Sequence, residues 1–170
     1  MTKITMEDVM NKVFTDDKLK NALDFAAHLR ALNLPLKEFE SEEKTYFFDI
    51  DYKGVLLCYI HISKKSMRIF SSQVPCSWIY RGESDIGYDE PDVDENIKKA
   101  AWKKVRKCTN CGCGNAPGRR KRILGKEFDN ICVSALGFRM PTTAVDWECI
   151  KQMVTAMKND IDRNFEEKTN

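Results

Sequence analysis

Between Lys44 and Ser72 apolar residues recur at every second position, a period that fits a β-sheet with a buried face and little else. Tyr46, Phe48, Ile50 and Tyr52 alternate with Thr45, Asp49 and Asp51, so this stretch reads as a half-buried strand. Lys53-Gly54 then supplies a turn, and Val55 to Ile62 follows, apolar on both faces and therefore central. After a Lys64-Lys65 turn, Met67 to Ser71 forms a third strand. Connections this short join antiparallel neighbours, which predicts a β-meander over 44–80 in which Cys76-Ser77-Trp78-Ile79-Tyr80 adds an edge strand after Pro75.

Helical periods flank this sheet and supply its cover. Over 1–35, Thr5 and Thr15 stand where N-caps belong, each followed by acids that favour the positive end of a helix dipole. Leu19, Ala22, Leu23, Ala26 and Leu29 recur at three- and four-residue steps until Pro35 ends the pattern. The acidic Glu38 to Glu43 stretch then reads as a surface connection. A second helix is expected over 92–107, with Asp92 and Glu95 as a capping pair and Val93, Ile97, Ala101 and Val105 on one face. A third is expected over 143–162, where Trp147, Ile150, Val154, Met157 and Ile161 share a stripe behind the Thr143 and Asp146 cap pair. Short strands at Ile123-Leu124 and Ile131 to Phe138 complete the elements. The expected fold is α+β, one domain over 1–170: N-terminal helices and a C-terminal amphipathic helix packed on a mainly antiparallel sheet, with a Cys-rich loop over 108–132.

A chain of 170 residues, 42% hydrophobic and 32% charged, is long enough for one sizeable core. No apolar run approaches the roughly 20 residues that span a bilayer, and the N-terminus carries Glu7 and Asp8 where a signal peptide is apolar. Membrane insertion and secretion are therefore not expected. An odd number of cysteines, seven, in tight clusters argues for reduced thiols or metal ligands and a cytoplasmic setting.

The cysteines carry the most specific chemistry. Cys108-Thr-Asn-Cys111-Gly-Cys113 is followed by Cys132, giving Cys-x2-Cys-x-Cys-x18-Cys. The two-residue spacing lets one turn present two sulfurs to a tetrahedral ion at about 2.3 Å, so zinc is the leading reading. Gly112 and Gly114 allow the backbone amides to turn toward sulfur. Four thiolates on zinc leave a formal charge of about −2, which nearby Arg119, Arg120, Lys121 and Arg122 offset. The same cations would also favour reactive thiolates, so a redox enzyme or sensor, a copper(I) or iron–sulfur site and simple packing all stay open. Cys132 lies in an apolar strand and also suits a core position. Cys58 and His61, three apart on a strand, point to opposite faces and make a poor ligand pair. Cys58, Cys76 and Cys149 read as core or edge residues, His28 as solvated and His61 as hydrogen-bonded.

Charge is segregated along the chain. Glu83 to Glu95 holds acids and no base and overlaps an acidic loop over 81–91, whereas Lys98 to Lys126 holds bases and no acid. Lys99, Lys103, Arg106, Arg119, Arg120 and Arg122 are candidate contacts for an anionic ligand, nucleic acid included, although charge runs most often mark solvated faces. A pI of about 8.1, with no recognised nucleic-acid motif, does not favour the nucleic-acid version. Trp78, Tyr80 and Tyr88 border the acidic loop and are candidate linings of a small ligand pocket. Asp49 and Asp51 share a strand face, a carboxylate pair in form and solvent-exposed side chains in the plainer reading.

No Walker loop, dinucleotide glycine pattern or zinc-protease helix is present, and neither histidine has a nucleophile at motif spacing. Catalysis is thus less expected than binding. The block from Cys108 to Phe138, above all Gly125-Lys126-Glu127-Phe128-Asp129-Asn130-Ile131-Cys132, resembles a C-terminal block of uncharacterised bacterial cytoplasmic proteins. That resemblance implies a small bacterial cytoplasmic protein and no particular activity, cofactor or catalytic residue. The combined expectation is a binding or interaction protein with a structural zinc, its partner an anionic ligand or a protein.

Overall fold

The structure, a computed structural model, describes residues 4–41, 45–63, 66–71, 79–80, 92–110, 118–139, 141 and 143–166. It is an α+β fold. Helices α1 (Met6–Val13) and α2 (Asp16–Ala31) precede strands β1 (Leu36–Ser41), β2 (Thr45–Tyr52), β3 (Val55–Ser63), β4 (Ser66–Ser71) and β5 (Ile79–Tyr80). Helix α3 (Glu95–Lys103), strands β6 (Val105–Lys107), β7 (Arg119–Ile123) and β8 (Lys126–Arg139), and helix α4 (Ala144–Glu166) complete the order.

Hydrogen-bonded neighbours run β1-β2-β3-β4-β8-β7-β5, with β6 also on β8, and each of these pairs is antiparallel. The β2–β3–β4 meander is as the period-two pattern predicts. Its first turn puts Lys53 and Gly54 at φ 49° and 79°, the left-handed pair that a two-residue hairpin requires. Leu57 is the extra residue of β3 between the partners of Ile50 and Asp51, so Leu57 and Cys58 are both fully buried.

The core follows the register. Phe48, Ile60, Ile69 and Phe138 lie side by side on four successive strands, none more than 1% exposed. Each such side chain contributes about 1.5–3 kcal/mol on burial. Against this row pack Val9 and Met10 of α1, Phe25 and Leu29 of α2, Ala101 of α3, and Ile150, Met153 and Val154 of α4. Phe25 meets Trp147 at 5.9 Å between ring centroids, joining α2 to α4. Thr5 caps α1 in a reciprocal box with Asp8, and Thr143 Oγ1 accepts from the Asp146 amide at the start of α4.

Several expected elements change. The Glu38 to Glu43 connection is in its first part strand β1, paired with β2 from Leu36 opposite Ile50 to Ser41 opposite Thr45. Charged residues suit this position because β1 is a sheet edge. The helix expected over 92–107 is capped by Asp94 rather than Asp92 and stops at Lys103; Val105 to Lys107 pair with β8 instead. The second half of the 108–132 loop is a hairpin, β7 and β8, turning at Leu124 and Gly125 with φ 47° and 81°.

Candidate functional site

Cys108 follows directly on β6, and β8 fixes it. Lys107 pairs with Ile131, the Cys108 amide donates to the Asn130 carbonyl at 2.7 Å, and Asn130 Nδ2 donates to the Cys108 carbonyl at 3.1 Å. Asn130 takes φ 57°, a left-handed value that asparagine tolerates, where β8 bulges against β7. On the other side of this point the chain returns at Gly118. A Cβ added there would lie 2.5 Å from Cys108 Cβ and 2.6 Å from Asn130 Oδ1. Cys108 and Gly118, which bracket residues 109–117, are therefore in close contact. Cys132 is buried on β8 beside the Ile131 that pairs with Lys107, where the β6–β8 register is irregular.

Cys111 and Cys113 lie outside the described residues. Among the described residues, no three histidine, cysteine, aspartate or glutamate side chains gather as a metal site. Cys58, Cys108, Cys132 and Cys149 are free thiols. Burial pushes the Cys58 and Cys149 thiols up to about 12, with Asp49 adding to the effect at the first and Asp146 at the second. Cys149, expected on the flank of its helix, is fully buried.

The candidate anion contacts lie on three elements, α3, β6 and β7. Lys99 and Lys103 are exposed on α3, whereas Arg119, Arg120 and Arg122 are exposed on β7. Arg120 is engaged by Glu127 and Asp129, and Arg122 Nε donates to the Gly125 carbonyl at 3.2 Å. Arg106 turns away from both groups, its guanidinium carbon 4.7 Å from the centre of the Phe70 ring. Lys104 Nζ, at the C-cap of α3, is 3.0 Å from Asp146 Oδ1 and ties the end of α3 to α4. Of the expected pocket aromatics, Trp78 and Tyr88 lie outside the described residues, and Tyr80 stands on β5 opposite Arg122.

Neither histidine takes its expected role. His28 is half-buried with Nε2 3.1 Å from Thr155 Oγ1, linking α2 to α4, rather than solvated. It lies at the wall of an open cleft of about 460 Å³ that also includes Asp92, Glu148 and Lys151. His61 stacks on Phe47 at 4.2 Å, and its Nε2 is buried with no hydrogen-bond partner. That burial, with Arg68 adjacent, holds the imidazole below the usual histidine range. Asp49 pairs in register with Tyr59 and Asp51 with Leu56.

The period-two reading overlooked the second face of the sheet. Phe47, Tyr59, His61 and Phe70 are half-buried there, and Tyr59 stacks on Phe70 at 5.1 Å. Their sequence signal is alternation out of phase with Phe48, Ile60 and Ile69. No family model, curated protein or solved structure matches the chain. No described helix is long and apolar enough to cross a membrane.

Proposed function

We propose that the protein is a noncatalytic binding protein of the reducing cytoplasm, whose Cys108, Cys111, Cys113 and Cys132 hold a structural zinc that locks the 109–117 loop to the sheet. The closure of that loop at Cys108, Gly118 and Asn130 carries this reading. A chain leaving and returning at one point keeps every residue between close to it. Cys111 is three residues from the anchored Cys108, a reach of at most about 11 Å. Four thiolates supply a complete tetrahedral shell with no open position for substrate, so such an ion stabilises rather than catalyses. Arg119, adjoining the loop's return at Gly118, offsets part of the charge. The free state of all four described cysteines is in keeping with a reducing compartment.

Metal analysis of protein purified without added metal tests the reading, alongside a thiol titration before and after chelation. One zinc per chain is expected, with four thiols becoming reactive only after the ion is removed. A fully folded, metal-free preparation would sink it. Fast alkylation of Cys111 or Cys113 in that preparation would instead assign the cluster to thiol chemistry.

A further inference from the structure

We propose that the helix-free face of the sheet binds single-stranded nucleic acid, with bases stacking on its aromatic rings and phosphates taken by Arg68, Arg106 and Arg139. The register builds this face in two rows. One runs Phe47, His61, Arg68, Arg139 across four strands, and the other runs Asp49, Tyr59, Phe70, Gly137. Neighbouring rows are two residues apart along each strand, about 6.8 Å. A splayed strand of bases follows such steps, whereas a double helix hides its base faces.

Two of the charges on this face have no ion-pair partner among the described residues. Arg68 and Arg139 are exposed directly opposite each other, a like-charge pair that opposes folding. Among the described residues neither makes an ion pair. Arg106 reaches the same face because Gly137 has no side chain: a Cβ there would meet Arg106 Cδ at 2.7 Å and Phe70 Cδ1 at 2.9 Å. Its guanidinium carbon lies 4.7 Å from the centre of the Phe70 ring, a cation on an aromatic face. Against these three cations the two rows offer one carboxylate, Asp49. An anionic, ring-bearing polymer answers both the charge and the stacked rings. A second copy of the chain would set arginines against arginines.

The inference goes beyond the zinc reading and does not depend on it. The probe is a fluorescein-labelled oligothymidine of about a dozen nucleotides, a length within the span of single-strand sites. Its anisotropy is titrated with the full chain at about 50 mM salt and then at rising salt. Saturable binding is expected, with log affinity falling against log salt at a slope near −2, about 0.7 for each of three phosphates. The exposed pair variant Arg68→Gln/Arg139→Gln keeps the core untouched. It should lose about tenfold in affinity and bring the slope to about −0.7, the value for one remaining phosphate contact. Tyr59→Leu should lose about fivefold or more with the slope unchanged, which separates stacking from charge.

Three outcomes overturn the proposal: no binding at low salt, equal binding of a duplex of the same length, or unchanged affinity in the Arg68/Arg139 variant. Loss on Arg119→Gln/Arg122→Gln in place of that variant would assign the anion site to β7. If the labelled strand does not bind but the chain dimerises and the arginine variant does not, the face belongs to a protein interface. Zinc content, read on the same preparations, should not change in the Arg68→Gln/Arg139→Gln variant or in Tyr59→Leu.

Discussion

Replacing Gly118 with alanine tests the closure on which the zinc reading rests. The new Cβ would sit 2.5 Å from Cys108 Cβ, 2.6 Å from Asn130 Oδ1 and 2.7 Å from the Asn130 carbonyl carbon. Carbon atoms rest at about 3.5–4.0 Å, so the overlap exceeds about 1 Å at the first contact. None of the three atoms is the free end of a long side chain. Lys107 and Arg119 both pair with Ile131, so neither bordering strand moves aside without losing ladder bonds on β8. Overpacking typically costs about 1–3 kcal/mol, and a clash against backbone belongs at or above the top of that range. Gly54→Ala is the control, with φ 79° and nothing within 4 Å of the added carbon. Left-handed strain alone costs about 1–2 kcal/mol. Urea unfolding of metal-free samples, with equal slopes, should therefore rank Gly118→Ala as clearly the more damaging. A cost at or below that of Gly54→Ala would refute the closed-loop geometry.

Two further predictions concern titratable groups. Asp162 is 2.7 Å from both Lys53 Nζ and Lys158 Nζ and accepts from Tyr52 at 2.8 Å, contacts that hold its carboxyl far below the usual range. A depressed carboxyl contributes stability above its unfolded pKa and loses it as pH falls through the folded one, so Asp162→Asn should be destabilising at pH 5–7 and progressively less so below about pH 4, in urea melts across pH. With both thiols near 12 and fully buried, Cys58 and Cys149 should resist iodoacetamide at pH 8 on the folded chain and react only on unfolding, as peptide mass spectrometry would show. Labelling of either at the rate of an exposed thiol would contradict the core packing.

Much of the fold was legible because its signals are local. Tyr46 to Tyr52 and Met67 to Ser71 alternate, the Lys53-Gly54 turn takes left-handed angles, and Ala22, Phe25, Ala26 and Leu29 fall on one helical face that is buried. Strands β1 and β7 were hidden for the same physical reason. Both lie toward the outside of the sheet and carry charge, which protects an edge and erases the apolar period. The β7–β8 turn is made by Leu124-Gly125, with Leu124 buried in a left-handed conformation that packing, not propensity, selects. Thr-Asn-Cys111-Gly-Cys113 advertised its chemistry through spacing, whereas the contact of Cys108 with Gly118 needs the register of three strands.

Val55 to Ile62 is apolar on both faces, and β3 is central in the sheet as that pattern predicts. Strand β3 is central in the strand order, flanked by β2 and β4, but centrality in the hydrogen-bonding direction says nothing of cover above and below. Helices cover the Ile60 side. On the other side Tyr59 stacks on Phe70 and His61 on Phe47, and all four rings are half-buried. The doubly apolar pattern thus records two different environments. One is closed by α1, α2 and α4, and the other carries two exposed arginines, Arg68 and Arg139, that make no ion pair among the described residues. Like charges set side by side in this way create a positive field that favours an anionic ligand, and the nucleic-acid proposal rests on that field.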